Sequence, residues 1–176
     1  YGGPLFWAHY SYIGLSPKGL KDRYADYWQL NRNHALINHD YCVENPNGFE
    51  GYGDNCWGLT ASYTVDGYTA HMPEKNDRGV ITPTAALSSF PYTPEESKKA
   101  LDHFYFGLGD KLWGTYGFYD AFSIQDDWFP RRYLAIDQLT IAPMIENHRT
   151  GLLWNLFMGA PEIQEGLQKL GISYSN

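Results

Sequence analysis

Eight carboxylates stand in aromatic or glycine-rich stretches of this 176-residue chain: Glu50, Asp54, Asp66, Asp120, Asp126, Asp127, Asp137 and Glu146. Carboxyl groups in such settings suit general acid–base chemistry, because burial and close neighbours tune when each one holds a proton. The stretch "YLAIDQLTIAPMIENHRTGLLW", residues 133–154, is the most pointed case. It is apolar enough for a buried helix, yet it carries Asp137, Gln138, Glu146, Asn147 and Arg149, with Pro143 in its middle. An interior proline loses a backbone hydrogen bond, so it must bend that helix or leave its start short and irregular.

The aromatic content, 17%, adds flat apolar faces with polar edges from Tyr and Trp. Such faces serve a large core, or a cleft in which the C–H face of a sugar packs on a ring while its hydroxyls take hydrogen bonds. The net charge of -7 argues against nucleic acid as a partner, since that needs a basic footprint. No stretch has the length and apolarity of a membrane-spanning helix, so membrane insertion is not expected. The opening residues lack the marks of a signal peptide. Two cysteines, Cys42 and Cys56, are too few for a disulfide scaffold; they could pair, but two partly buried thiols is the preferred reading. No close histidine pair, CxxC or HExxH occurs, so neither a metal nor a cofactor is expected.

The elements that must position these groups are mostly helices. Ser16 and Pro17 suggest an N-cap and a first helical position, which places a helix over about 18–38. "ITPTAALSSF" reads as a short buried helix beginning at Pro83. "YTPEESKKALDHFYFGL" opens on a capping box, Thr93 with Glu96, and continues with an apolar face. "GAPEIQEGLQKLG" starts at Pro161 and stops at Gly171. Residues 41–80 are rich in Gly, Asn, Asp and Pro; within them a helix near 55–63 is preferred to a hairpin turning at Asp66-Gly67. Long loops in a compact domain generally have work to do.

Five stretches, "YGGPLFWAHYSYIGLSPKGLKDRY", "NCWGLTASYTVDGY", "GVITPTAALSSFPYTPEE", "WGTYGFYDAFS" and "AIDQLTIAPMIENHRTGLLW", resemble the glucoamylase-like family of glycoside hydrolases, which includes bacterial endo-β-1,2-glucanases. The resemblance runs in order over nearly the whole chain, but matches only the C-terminal half of family members. It implies an all-α fold, the C-terminal half of an (α/α)6 toroid, with long loops and room for a short β-hairpin. Residues 1–176 would then be half of one catalytic domain, partnered by the N-terminal half, and poorly folded and inactive if expressed without it. It further implies a glucan substrate, β-1,2-linked in first place, an inverting mechanism, and a periplasmic or extracellular setting in Bacteroides-type bacteria. An α-glucan-acting glucoamylase, a non-catalytic sugar-binding domain of the same fold and a structural helical domain are the alternatives.

Inverting glycosidases need a general acid and a general base on opposite sides of the scissile bond. Asp137 is the first choice for the base: as an N-cap it would be kept ionised by the helix N-terminus, the competing reading being a purely structural cap. Gln138 would face the cleft beside it. Glu146 lies nine residues on, about 13 Å along one helix, too far for a direct pair, and is read as structural, with Arg149 or a neighbouring helix as its partner. Asp120 is a candidate sugar ligand. Of Asp126 and Asp127, one is expected to bind Arg131 or Arg132, and Asp127 is retained as a substrate-binding candidate. Glycines around Glu50 and Asp54 allow close backbone approach, so these two could bind sugar hydroxyls. Trp57, Tyr63 and Trp128 are stacking candidates, with core packing the standing alternative for each.

Overall fold

The computed structural model describes residues 2–175. Nine α-helices are described: α1 Phe6–Tyr10, α2 Tyr27–Glu44, α3 Pro83–Leu87, α4 Pro94–Asp102, α5 Gly109–Leu112, α6 Ala135–Gln138, α7 Ile141–Arg149, α8 Leu152–Met158 and α9 Pro161–Leu170. Three antiparallel two-stranded ribbons accompany them: β1 Leu20–Lys21 with β6 Ser173–Tyr174, β2 Ala61–Thr64 with β3 Gly67–Ala70, and β4 Trp113–Gly114 with β5 Gly117–Phe118. No helix among the described residues is long and apolar enough to cross a membrane.

Helices with strong local signals stand where the sequence puts them. Pro83 opens α3, and Pro161 opens α9, which Gly171 ends in the left-handed conformation at φ 69°. The expected helix over 18–38 begins later and runs further. Gly19 at φ +68° closes off any helical turn after Ser16-Pro17, and a Cβ there would meet the Ser175 carbonyl oxygen at 1.9 Å. The chain instead pairs β1 with β6, and α2 starts behind Asp26, whose Oδ1 accepts from the Gln29 amide at 3.1 Å. The capping box at Thr93 does not form. Thr93 Oγ1 bonds back to the Ser89 carbonyl at 3.3 Å and meets Ser97 Oγ at 3.2 Å, and α4 passes into a π-helical turn over His103–Gly107.

The preferred helix near 55–63 is replaced by the β2–β3 hairpin. Its two-residue turn is Val65-Asp66, so Thr64 pairs with Gly67 and Tyr63 with Tyr68. Gly67 takes φ +144°, which L side chains rarely adopt, and so fixes the register. The stretch 133–154 is likewise not one helix but α6, α7 and the start of α8. A turn at Leu139 and Thr140 separates α6 from α7, and Pro143 becomes the third residue of α7. First-turn amides have no intrahelical acceptor, so the proline there sacrifices no bond.

One large core joins Leu5, Trp57, Leu59, Leu87, Phe104, Phe122 and Met144. A smaller one packs Leu20, Met158 and Leu167 under the β1–β6 ribbon. Both cysteines are free and buried, and burial pushes the Cys56 thiol up to about 12.

Candidate active site

The hairpin brings two carboxylates under one roof. The Tyr63 amide points away from the β2–β3 ladder and donates to Asp120 Oδ2 at 2.9 Å, while the hydroxyl of its cross-strand partner Tyr68 donates to Asp137 Oδ1 at 3.1 Å. Asp120 is 0% exposed and Asp137 5%. Each keeps a second buried oxygen, Asp120 Oδ1 and Asp137 Oδ2, without a hydrogen-bond partner among the described residues. Buried polar atoms are almost always paired, so two orphaned carboxylate oxygens in one neighbourhood mark a place where chemistry takes precedence over stability.

The backbone beneath them is pinned. Asp120 follows the β4–β5 ribbon; its amide donates to the Arg132 carbonyl at 2.9 Å, and beyond it Ile81 and Phe122 exchange amide–carbonyl bonds of 2.8 and 2.9 Å. Asp137 lies third in α6, whose N-cap is Leu134, so it is not the cap its position suggested. Its carbonyl accepts from Thr84 Oγ1 at 2.9 Å, and Thr84, Ser88 and Thr140 form a ring of hydroxyls with separations of 2.8–3.1 Å. The Tyr10 hydroxyl bonds the neighbouring Ile136 carbonyl. A buried polar ring of this kind, fully satisfied, holds one arrangement.

Electrostatics reverses the expectation for Asp137. Burial pushes its carboxyl up to about 6, opposed by the Tyr68 hydrogen bond; the helix start does not hold it low. Asp120 rises to about 7, first through burial, then through the nearby Asp137, against the lowering effect of the Tyr63 amide. Both acids are thus pushed in the same direction, toward holding a proton nearer neutral pH than an exposed carboxyl would. Carboxyls raised toward neutrality are suited to exchanging protons near the pH at which an enzyme works. Tyr68 is pushed upward by burial and by Asp137, so its phenol stays protonated and a donor.

The other sequence candidates divide into near and far. Tyr63 is near: its ring meets Tyr68 edge-on at 6.0 Å, and the Arg132 guanidinium lies 5.3 Å from its centre. A cavity of about 590 Å³ adjoins the hairpin, lined by Tyr68, Asp66, Thr69, Phe49, Arg78 and Asp126 among others. Gln138 adjoins Asp137 but turns inward: its Oε1 accepts from the Leu134 amide at 2.6 Å and its Nε2 donates to the Phe118 carbonyl. Both ends of that amide are therefore engaged in holding α6 on β5.

Trp57 has no face open to a sugar; it is 0% exposed, with its indole N–H on the Glu96 carbonyl at 3.2 Å. Asp54 joins Lys99 at 2.8 Å and His39 at 3.3 Å on a separate surface. Asp127 pairs with Lys111 at 2.7 Å, rather than with an arginine, and Asp126 accepts from Ser123 Oγ at 2.8 Å. Trp128 is half-buried and exchanges backbone bonds of 2.9 Å with Ser123. Glu50 is exposed on the loop before Gly51. Tyr68 and Thr84 escaped the sequence reading. For Tyr68 a signal existed: a two-residue turn at Val65-Asp66 sets it opposite Tyr63. Among the described residues, no three His, Cys, Asp or Glu side chains gather as a metal site requires.

Solved structures share this fold closely. The chain is 63% identical to an endo-β-1,2-glucanase from Chitinophaga pinensis, solved with sophorotriose and glucose, with a TM-score of 0.97 over 98% of this chain and 42% of that one. A β-1,2-glucanase structure from Parabacteroides distasonis matches at 49% identity and a TM-score of 0.94, covering 97% of this chain and 24% of the other. An exo-β-1,2-glucooligosaccharide sophorohydrolase of the same species is 49% identical over 170 residues, 96% of this chain and 24% of that protein. The chain thus spans a quarter to two fifths of the length of these relatives. The family model Glycoamylase, described as "Putative glucoamylase", matches residues 1–161, and the chain belongs to that family.

Proposed function

We propose that the protein containing this chain is a glycoside hydrolase of β-1,2-glucan, working by inversion, with this chain supplying one wall of the cleft. The observation that carries the assignment is Asp137: a nearly buried carboxylate, one oxygen held by Tyr68 and the other unpartnered, on a backbone pinned by Thr84. Relatives at 49–63% identity that are named for β-1,2-glucan supply the substrate class.

In the proposed step, Asp137 Oδ2 takes a proton from a water as its oxygen bonds to the anomeric carbon. The glycosidic bond breaks on the opposite face, and its oxygen receives a proton from a general acid elsewhere in the domain. Asp120 lies fully buried behind the hairpin, where burial favours its protonated form and so limits a second negative charge beside Asp137. Tyr63, with Arg132 on its ring, forms part of the wall beside the acids. We assign no direct sugar contact to Trp57, whose burial supports a core role.

We further propose that the chain is the C-terminal half of an (α/α)6 toroid, acting in a periplasmic or extracellular setting. Ile136 and Leu139, on either side of Asp137, are 64% and 65% exposed, which supports a second half covering this face. The decisive experiment incubates the complete protein with β-1,2-glucan and with maltooligosaccharides. New reducing ends from the former are expected; none from either would sink the assignment, and ends from the latter alone would make it a glucoamylase. Residues 1–176 expressed alone are expected to be inactive, and normal turnover from them would overturn the half-domain reading.

A further inference from the structure

We propose that Tyr68 is the positioning residue of the site: its phenol fixes Asp137 through Oδ1 and leaves Oδ2 as the only oxygen offered to the reaction. The inference rests on the reading of Asp137 as general base. Geometry carries it. Tyr68 and Tyr63 are directly paired across the hairpin, and each supplies one donor to one of the two buried acids. Any tilt of β3 relative to β2 therefore changes how the two carboxyls sit relative to each other. Tyr68 is 53% exposed and lines the cavity of about 590 Å³, so one side chain touches both the base and the space beside the hairpin.

Three titratable groups bear on Asp137 from the elements packed against it: Tyr68 from β3, Asp120 after β5, and Tyr10 at the end of α1. Of these, Tyr68 alone donates a hydrogen bond to the carboxylate, and a donor to the charged form favours it. Without the phenol, burial acts unopposed and Asp137 holds its proton to higher pH.

The test compares three forms of the complete protein on a β-1,2-glucooligosaccharide: unmodified, Tyr68→Phe, and 3-fluorotyrosine incorporated at position 68. Loss of the hydroxyl should move the acid limb of the kcat profile upward by about one pH unit, lowering kcat about twofold at neutral pH and about tenfold well below the limb. The fluorinated phenol, a stronger donor, should move the limb downward. Limbs that stay in place in both forms, with KM alone rising, would make Tyr68 a cavity wall and overturn the inference. If Tyr68→Phe does not fold, the fluorotyrosine form decides alone. Asp137→Asn separates the two levels: full turnover there removes the base itself, whereas an inactive Asp137→Asn with unmoved limbs removes only the role of Tyr68.

Discussion

Asp137 and Glu146 lie nine residues apart in one apolar stretch and end in opposite surroundings. Asp137 is 5% exposed with one oxygen unpartnered. The Glu146 side chain is 31% exposed and engaged at both oxygens, by Thr150 Oγ1 at 2.7 Å and Arg149 at 3.3 Å. The turn at Leu139 and Thr140 separates the two: Asp137 on α6 meets Tyr68 of the hairpin, while α7 turns Met144 and Asn147 inward and leaves Glu146 partly exposed. A carboxylate's usefulness to chemistry thus depends on how far the fold withholds water and partners from it. By that measure Asp137 is strained and Glu146 is comfortable.

The contrast breaks first on activity. In the complete protein, Asp137→Asn should lower kcat about a thousandfold with the fold retained by circular dichroism, whereas Glu146→Gln should stay within about twofold. Equal losses in the two variants would erase the distinction between them.

Stability against pH sharpens it. Asp120 and Asp137 have folded values of about 7 and about 6, above the ordinary carboxylate value, so these two groups bind more protons folded than unfolded between about pH 4 and 7, while His9 and His71, lowered by burial to about 3 and about 4, bind fewer there and oppose them. Their contribution is therefore greatest at the acid end of that window and is lost as pH rises through it. Asp54, held low chiefly by its bond to Lys99, has the opposite sign, but its contribution is lost only below the window. Each unit of elevation corresponds to about 1.4 kcal/mol. Asp120→Asn should gain stability relative to the parent as pH rises from about 4 to 8, by a few kcal/mol at pH 8 in urea melts. A difference between variant and parent that stays constant from pH 5 to 8 contradicts this account.

Two smaller effects follow. Thr84→Val removes the hydroxyl under the Asp137 carbonyl and should cost about 1–2 kcal/mol in denaturant melts, with a loss of kcat that a change at Glu146 does not produce. Arg149→Ala, which removes one exposed partner of Glu146, should change stability by about 0.5 kcal/mol or less. A loss several times larger would show that the far end of the stretch matters more than its exposure suggests.

The legible parts of the sequence were those governed by local chemistry. Pro83 and Pro161 at helix starts, and Gly171 at a helix end, act through their own backbone geometry and need no distant partner. The pairing of Glu146 with Arg149 is likewise a matter of adjacent helical turns. The family resemblance, carried by long motifs, led to a family the comparisons bear out, whereas Asp137 was preferred among eight carboxylates for its place before an apolar helical run. Misreadings fell where a distant segment decided the outcome. The helix expected from residue 18 gave way to a ribbon with residues 173–174. The segment near 55–63 became a strand because residues 67–70 fold back to pair with it.

The sequence by itself determined which groups were available: the acids, the tyrosines, the prolines that set helix starts and the glycine that sets the hairpin register. Only the tertiary structure decided which of them meet. Asp120 and Tyr63 are 57 positions apart, Asp137 and Tyr68 are 69, and Asp137 and Thr84 are 53. Protonation was decided at the same level. A helix start taken alone favours an ionised Asp137, but burial outweighs it and raises the group to about 6. Local dihedral preferences are written residue by residue, whereas desolvation is a property of everything packed around a side chain.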